Sequence, residues 1–235
     1  GIRVGRYRGP SMNPIHLNWR QSKGLALVEF VIVALIFVAD AHHLIPLSKT
    51  PFLLLLGWIS LRLRGLRWRD VGLTRYRTWK WTLIAGVIAG VVMELIELYL
   101  SQPLLMHITG KPPDLSDFAS LRGNPKLLAL GLALAWTLAA FGEEMVWRGY
   151  LMNRFADLGN RTRAAWLVSL VLVNAAFGMA HAYQGITGII DEGFMGLLLG
   201  TLYLSCRCNL AVPIVAHGVS DSIDLLLLFL GKYPL

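Results

Sequence analysis

Apolar residues follow one another in long runs along this chain, and short polar stretches separate the runs. Seven runs approach the length of about 20 residues that a helix needs to cross a hydrocarbon core of about 30 Å. They are residues 24–44, 46–63, 80–102, 126–150, 163–183, 186–206 and 211–231. The runs are nearly continuous, whereas the strands of a membrane barrel alternate apolar and polar positions. The pattern predicts an all-α fold, a polytopic transmembrane bundle of about seven spanning helices.

The composition of the chain supports a membrane protein. Hydrophobic residues make up 55% of the 235 residues and charged residues only 15%, and the mean hydropathy is +0.56. Soluble domains carry about 25% charged residues, so this chain lacks the polar surface that a soluble domain exposes. Intrinsic disorder is excluded as well, because disordered segments have low hydrophobicity.

Two units are expected along the chain. Residues 1–23 form a basic N-terminal segment, and residues 1–11 are expected to be the remnant of an engineered tag because Met12 follows Gly-Pro-Ser. Residues 24–231 form a single membrane domain, since the sequence contains no internal repeat and no separable soluble domain. The stretch 66–82 interleaves Trp with Arg and Lys, and it fits either an amphipathic segment at headgroup level or a plain basic loop.

The basic residues are unevenly distributed. If the N-terminus lies in the cytoplasm, 17 of the 22 Lys and Arg residues fall on the cytoplasmic side. Positive residues concentrate on that side of membrane proteins, so the N-terminus is predicted to be cytoplasmic. The net charge of +8 has this explanation. No nucleic-acid partner is expected, because the sequence shows no groove-reading helix and no aromatic-basic platform.

Ionisable residues inside the predicted membrane helices point to chemistry, because each one costs about 2.5–3.5 kcal/mol on insertion scales. On the fourth helix, Arg148 lies about 40° around the axis from Glu144 and about 140° from Glu143. Glu144 and Arg148 are therefore predicted to form an i,i+4 ion pair. Glu143 is left without this partner, and a carboxylate beside another carboxylate suits a general base or acid.

Polar side chains also fall on the fifth, seventh and third helices: Asn174 and His181, then His217, Asp221 and Asp224, then Glu94 and Glu97. The three on the seventh helix lie within about 60° of one another and form a polar stripe. The two on the third helix either join the same site or bond neighbouring helices. If helices four, five and seven are neighbours, two histidines and several carboxylates meet in one cavity. Water activation by a carboxylate, hydrolysis at bound zinc and a proton relay all remain open.

The depth of His217 sets a condition on this cavity. His217 lies only about eight residues after the turn near 209, whereas Glu143 lies about 17 residues before the turn near 160. For the two side chains to reach one height, the turn near 209 must sit deeper in the membrane than the turn near 160.

Three motifs occur in order on the predicted membrane helices: E-E-x-x-x-R at 143–148, F-x-x-x-H at 177–181 and H-x-x-x-D at 217–221. Together they resemble the CPBP family of CAAX-processing and bacteriocin-processing intramembrane proteases, also called the Abi family and related to the type II CAAX prenyl endopeptidase. The resemblance covers about residues 125–231. It implies an integral protein of a prokaryotic plasma membrane that hydrolyses peptide bonds of membrane-anchored or lipidated substrates, surrounded by lipids.

The resemblance also implies roles for individual residues. Glu143 would activate the attacking water with His181, and His217 with Asp221 would support the oxyanion. Asp221 stands where the prenyl-endopeptidase branch has Asn. An ionised carboxylate cannot donate to an oxyanion, so Asp221 must either be protonated or orient His217. Supporting positions are expected at Glu144, Arg148, Phe177, Asn174 and Asp224.

No metal cofactor is expected, because a glutamate–histidine water site needs fewer aligned groups than a site with four zinc ligands. Zinc is the alternative cofactor, and its ligands would be Glu143, His181, His217 and Asp221. Asn174 and Asp224 would then be the hydrogen-bond partners of the two imidazoles. The alternative function is a non-proteolytic membrane scaffold or regulator with the same fold.

Overall fold

The computed structural model describes residues 22–46 and 48–234, and within them every regular element is helical. The long helices are α1 Lys23–Ala41, α2 Thr50–Leu63, α3 Trp79–Thr109, α4 Pro125–Leu158, α5 Arg163–Met179, α6 Gly185–Ser205 and α7 Ala211–Leu230. Short 3₁₀ turns lie at Trp68–Val71, Ser116–Leu121 and Ala182–Gln184. The predicted all-α class is confirmed. The expected tag remnant and all but the end of the basic segment 1–23 lie outside the described residues.

Not every helix is long enough to cross a membrane. Among the described residues, five helical segments have the required length and hydropathy: α1, α3, α4, α6 with the 3₁₀ turn before it, and α7. The other two, α2 with 14 residues and α5 with 17, are apolar but shorter. At 1.5 Å per residue α2 extends only about 21 Å, less than the hydrocarbon thickness. The described residues thus contain seven apolar helices, of which five are candidate spans. The predicted count of about seven spanning helices is not confirmed, and the cytoplasmic N-terminus stays a prediction.

Local sequence signals account for where several helices begin. Ser22, Thr78 and Thr162 precede α1, α3 and α5, and each hydroxyl accepts a hydrogen bond from a backbone N–H of the first turn. Such caps satisfy donors that have no partner inside a helix. Asn124 caps α4 in the same way, and Pro125 occupies the first helical position, where its missing N–H costs nothing.

The helices α3 and α7 pack closely because glycines line their contact. A Cβ atom on Gly86 would lie 2.5 Å from Cβ of Val215, and one on Gly90 would lie 2.5 Å from the carbonyl oxygen of Ala216. Small residues four positions apart let membrane helices approach until their backbones touch. This contact fixes α7, the helix of His217, against α3.

The basic stretch 66–82 is a loop with one 3₁₀ turn, followed by the start of α3, and it does not form a continuous amphipathic helix. It covers the turn between α6 and α7. The N–H of Leu210 donates to the carbonyl of Gly72 at 2.8 Å, and the hydroxyl of Tyr203 donates to the carbonyl of Val71 at 2.9 Å. Asn209 and Leu210 are consequently buried. The turn near 209 is thus enclosed by protein, and its depth relative to the turn near 160 stays a prediction.

Replacement of Gly90 by Ala should test the α3–α7 contact. The added methyl group would collide with the α7 backbone, so we expect the free energy of unfolding to fall by about 1–3 kcal/mol. The control is Gly131→Ala, because a Cβ there meets Leu225 at an ordinary 3.5 Å. Both substitutions replace glycine by alanine inside a helix, so the gain in helix propensity is the same and cancels when the two stabilities are compared. Melting temperatures in detergent should fall for Gly90→Ala only, and equal values in the two variants would contradict the packing.

Candidate active site

The backbone of α4 changes its hydrogen-bonding pattern around the Glu143–Glu144 pair. The segments Ala135–Glu143 and Met145–Leu151 both have π-helical i→i+5 bonds, so the helix is widened on each side of Glu144. Wide turns of this kind are rare, and they occur frequently at functional sites. Here they flank Glu144, and residues 144–152 of this helix are all buried.

Arg148 is fully buried and links three helices. Its Nη1 pairs with Oε1 of Glu144 at 2.7 Å, which confirms the predicted ion pair. Its Nη2 donates to Oδ1 of Asn174 on α5 at 3.0 Å and to the carbonyl of Gly196 on α6 at 2.8 Å. The guanidinium also lies 4.9 Å from the ring centroid of Phe177, within cation–π range. The charge therefore has partners from α4, α5 and α6.

Glu144 does more than pair with Arg148. Its Oε1 also accepts a hydrogen bond from Nδ1 of His217 at 3.0 Å, so one carboxylate connects α4 with α7. Neighbouring Glu143 takes no part in these bonds. It is half-buried and lies within electrostatic range of both His181 and His217.

The second ring nitrogen of His217 faces Asp221. The distance from Nε2 to Oδ1 of Asp221 is 3.5 Å, longer than the bond on the other side of the ring. Both nitrogens can face carboxylates as donors only if the ring is the doubly protonated imidazolium. This geometry favours an orienting role for Asp221 over the alternative of a protonated acid.

His181 lies just after the end of α5, and its ring is oriented locally. Nδ1 lies 3.0 Å from the carbonyl oxygen of Phe177, one turn earlier, so the tautomer with a proton on Nδ1 fits. The lone pair is then on Nε2. The ring also packs against Phe177, with 4.7 Å between the ring centroids, and against Tyr183 at 5.9 Å.

A cavity of about 50 Å³, with room for one or two water molecules, adjoins His217 and Asp221, whereas Glu143 and His181 are not among its lining residues. It brings together Phe177, His217 and Asp221 with residues of α3 and α6; the lining residues are Met93, Glu97, Phe177, Glu192, Met195, Leu199, His217, Ser220, Asp221 and Asp224. Glu192 was not predicted as a site residue. The available signal was the adjacent carboxylates of Asp191 and Glu192 in the first third of the predicted membrane helix 186–206.

Two supporting residues have partners other than those expected. Asn174 accepts from Arg148 and donates from Nδ2 to the carbonyl of Leu170 at 2.7 Å, so it holds the guanidinium and no imidazole. Asp224 points towards α3, where its carboxylate clusters with those of Glu94 and Glu97. The stripe on α7 is therefore divided between two sites, because Asp221 faces His217 and Asp224 faces α3.

The four residues considered as zinc ligands do not fit zinc as they are arranged. A zinc-bound imidazole needs one nitrogen lone pair directed at the metal. Both nitrogens of His217 already face carboxylates, Glu144 and Asp221. Within the described part of the chain, the carboxylates and imidazoles of this site also do not converge to metal-ligand spacing.

Replacement of Arg148 by Met should destabilise the protein strongly. The substitution leaves Glu144 as a buried carboxylate without its cation, and breaking a buried pair costs about 3–5 kcal/mol. Glu143→Gln is the control, because it changes a neighbouring carboxylate to an amide of the same shape. We expect the melting temperature in detergent to fall much further for Arg148→Met. Similar melting temperatures would mean that Arg148 does not hold the bundle together.

The comparisons with known proteins agree with the motifs. Residues 125–223 match the family model described as type II CAAX prenyl endopeptidase Rce1-like. This segment runs from the start of α4 into α7 and contains all three motifs. Neither curated proteins nor solved structures give a match to the chain. The resemblance inferred from the motifs is confirmed over these residues, where the chain is similar to the CAAX-processing proteases of the CPBP family.

Proposed function

We propose that this protein is an intramembrane endopeptidase that hydrolyses a peptide bond of a lipidated, CAAX-type substrate with water activated by Glu143. One observation carries the proposal. In the segment that matches the prenyl endopeptidase model, Glu144 is held by Arg148 and His217, whereas Glu143 stays outside these bonds and within electrostatic range of both histidines. Glu144 thus joins the helices, and Glu143 is available to take a proton.

The water molecule would be held by two acceptors. With the proton of His181 on Nδ1 and donated to the carbonyl of Phe177, Nε2 carries a lone pair. The ionised carboxylate of Glu143 offers the other acceptor. A water that donates one hydrogen to each has its oxygen lone pairs directed away from both, towards an approaching carbonyl carbon. His181 then positions the water, and Glu143 is the general base.

His217 is the proposed donor to the oxyanion. Its Nδ1–H is committed to Glu144 at 3.0 Å, but its Nε2 is 3.5 Å from Asp221, so this second bond is the weaker one. The Nε2–H group can donate instead to the substrate's carbonyl oxygen as that oxygen gains negative charge. A donor that is already in place in this way lowers the activation free energy of the hydrolysis. Asp221 keeps the ring oriented meanwhile.

The hydrolysis balances with these residues alone. The water oxygen bonds to the carbonyl carbon while Glu143 takes one of its protons, and the carbonyl oxygen becomes an oxyanion beside His217. The C–N bond then breaks as Glu143 returns the proton to the leaving nitrogen. The products are a carboxylic acid and an amine, and Glu143 ends ionised as it began.

The nature of the substrate is supported by the family match and by the location of the site. Prenyl endopeptidases of this family act on CAAX proteins that carry a lipid. The cavity lies between helices of a bundle whose outer faces are apolar, such as the exposed residues Val31 and Leu35 of α1. A lipid anchor would keep a substrate in the membrane around these faces and raise its local concentration near the site.

Replacement of Glu143 by Gln should abolish cleavage of a prenylated CAAX peptide by the purified protein. The amide keeps the volume of the side chain but cannot accept the proton, and loss of a general base costs about 10²–10⁴-fold in rate. The comparison variant is Asp117→Asn, which removes an exposed carboxylate outside the cavity and should retain most of the activity. A wild-type rate in Glu143→Gln would refute the mechanism. A cellular phenotype that survives Glu143→Gln would favour the non-proteolytic regulator.

Replacement of Asp221 separates its two possible roles. Asn can accept from Nε2 of His217 and can also donate to an oxyanion, so we expect Asp221→Asn to stay within about tenfold of the wild-type rate. Leu has a similar size and can do neither, and Asp221→Leu should lose about 10²–10³-fold. The measurement is kcat on the same peptide, with melting temperatures to exclude unfolding. An Asp221→Leu variant as active as wild type would show that His217 needs no partner at Nε2.

A further inference from the structure

A second cluster of ionisable side chains lies next to the cavity, one helical turn beyond Asp221. It consists of Glu94 and Glu97 on α3 and Asp224 on α7. One carboxylate oxygen from each lies within 4.8 Å of the other two, which is the spacing of ligands around one metal ion. All three residues lie outside the segment 125–223 that matches the protease family. The cluster contains none of the four residues to which the proposed hydrolysis assigns a role, although Glu97 and Asp224 line the same cavity as His217 and Asp221.

Two oxygens of this cluster lack the partner that a buried polar atom needs. Glu94 is 1% exposed, and its Oε2 accepts from the hydroxyl of Ser220 at 2.8 Å. Its Oε1 is buried and has no hydrogen-bond partner in the described part of the chain, and the same holds for Oδ1 of Asp224. Leaving a buried acceptor unsatisfied costs free energy, and more so for a charged group. One carboxylate oxygen of Glu94 lies within 4.8 Å of one of Asp224.

Among the described residues, no Lys, Arg or His forms an ion pair with the three carboxylates of the cluster. The hydrogen bonds to Glu94 and Glu97 come from the neutral groups of Ser220 and Gln102. Asp191 and Glu192 of α6 add further carboxylates to the same neighbourhood. Several like charges this close cannot all ionise in a medium of low dielectric constant unless a cation or shared protons neutralise them.

We propose that Glu94, Glu97 and Asp224 bind one hard divalent cation, of the Mg²⁺, Ca²⁺ or Mn²⁺ type, between α3 and α7. The ligand atoms are carboxylate oxygens only, the set that such cations prefer, whereas zinc favours nitrogen and sulfur. A cation there satisfies the two unpartnered oxygens and compensates the charge. It also ties α3 to the helix that carries His217 and Asp221, and it adds to the close glycine contact of these helices.

The test uses the full-length protein in detergent, stripped of metal with EDTA and then titrated with MnCl₂. Electron paramagnetic resonance reports the free Mn²⁺, which decreases on binding. We expect about one saturable site per chain, competed by Ca²⁺ or Mg²⁺. Glu97→Gln should weaken Mn²⁺ binding by about tenfold or more. The control is Asp117→Asn, which removes one exposed carboxylate elsewhere and should leave the affinity unchanged.

A second readout is the melting temperature, which MnCl₂ should raise in the wild type and in Asp117→Asn but not in Glu97→Gln. If Glu97→Gln does not fold, Asp224→Asn takes its place in both measurements. The proposal is overturned if the wild type shows no saturable site, since shared protons would then neutralise the cluster. It is overturned equally if the folded cluster variants bind like wild type. Neither measurement involves substrate, so its outcome is independent of the proposed proteolysis.

Discussion

The buried charge of Arg148 is the constraint on which the arrangement of this bundle depends. A guanidinium with no access to water is tolerated only when carboxylates and carbonyls surround it, because the penalty for an unpaired ion in a membrane protein is several kcal/mol. Here the partners come from α4, α5 and α6: Glu144, Asn174 and the Gly196 carbonyl. Glu144 extends the network to His217 on α7. The four helices that carry the proposed chemistry are therefore held by the same group.

Close helix packing makes these polar contacts possible. A Cβ on Gly196 would lie 2.9 Å from the ring of Phe177 and 3.0 Å from Oδ1 of Asn174, so only glycine lets the α6 carbonyl reach the guanidinium. A Cβ on Gly178 would lie 2.2 Å from the carbonyl oxygen of Ile189, so α5 and α6 also touch at the backbone. In lipid, such contacts replace the hydrophobic effect as the force that holds helices together. The hydrogen bonds of Arg148 in this core therefore depend on the close packing of the helices.

Charge compensation divides the interior into two regions. Around Glu144, the positive charge of Arg148 and the ring of His217 balance the carboxylates, and this leaves Glu143 as the carboxylate not bound by the network. Around Glu94, the hydrogen-bond donors are neutral and two oxygens stay unsatisfied. The first region suits a reaction that moves one proton, and the second suits a bound cation. Both regions border the same cavity, so a change of charge in one region alters the electrostatic potential in the other.

The sequence alone determined the local features of this protein. Hydropathy located the seven apolar helices, and i,i+4 spacing predicted the Glu144–Arg148 pair, because both depend only on neighbours along the chain. Contacts between helices were decided by the tertiary structure: Glu144 with His217, Asn174 with Arg148, and Asp224 with α3. Apolar faces that meet lipid and apolar faces that meet protein look alike in a sequence. The rotation and depth of each helix, which select these partners, are therefore set only when small residues and buried polar groups pack together.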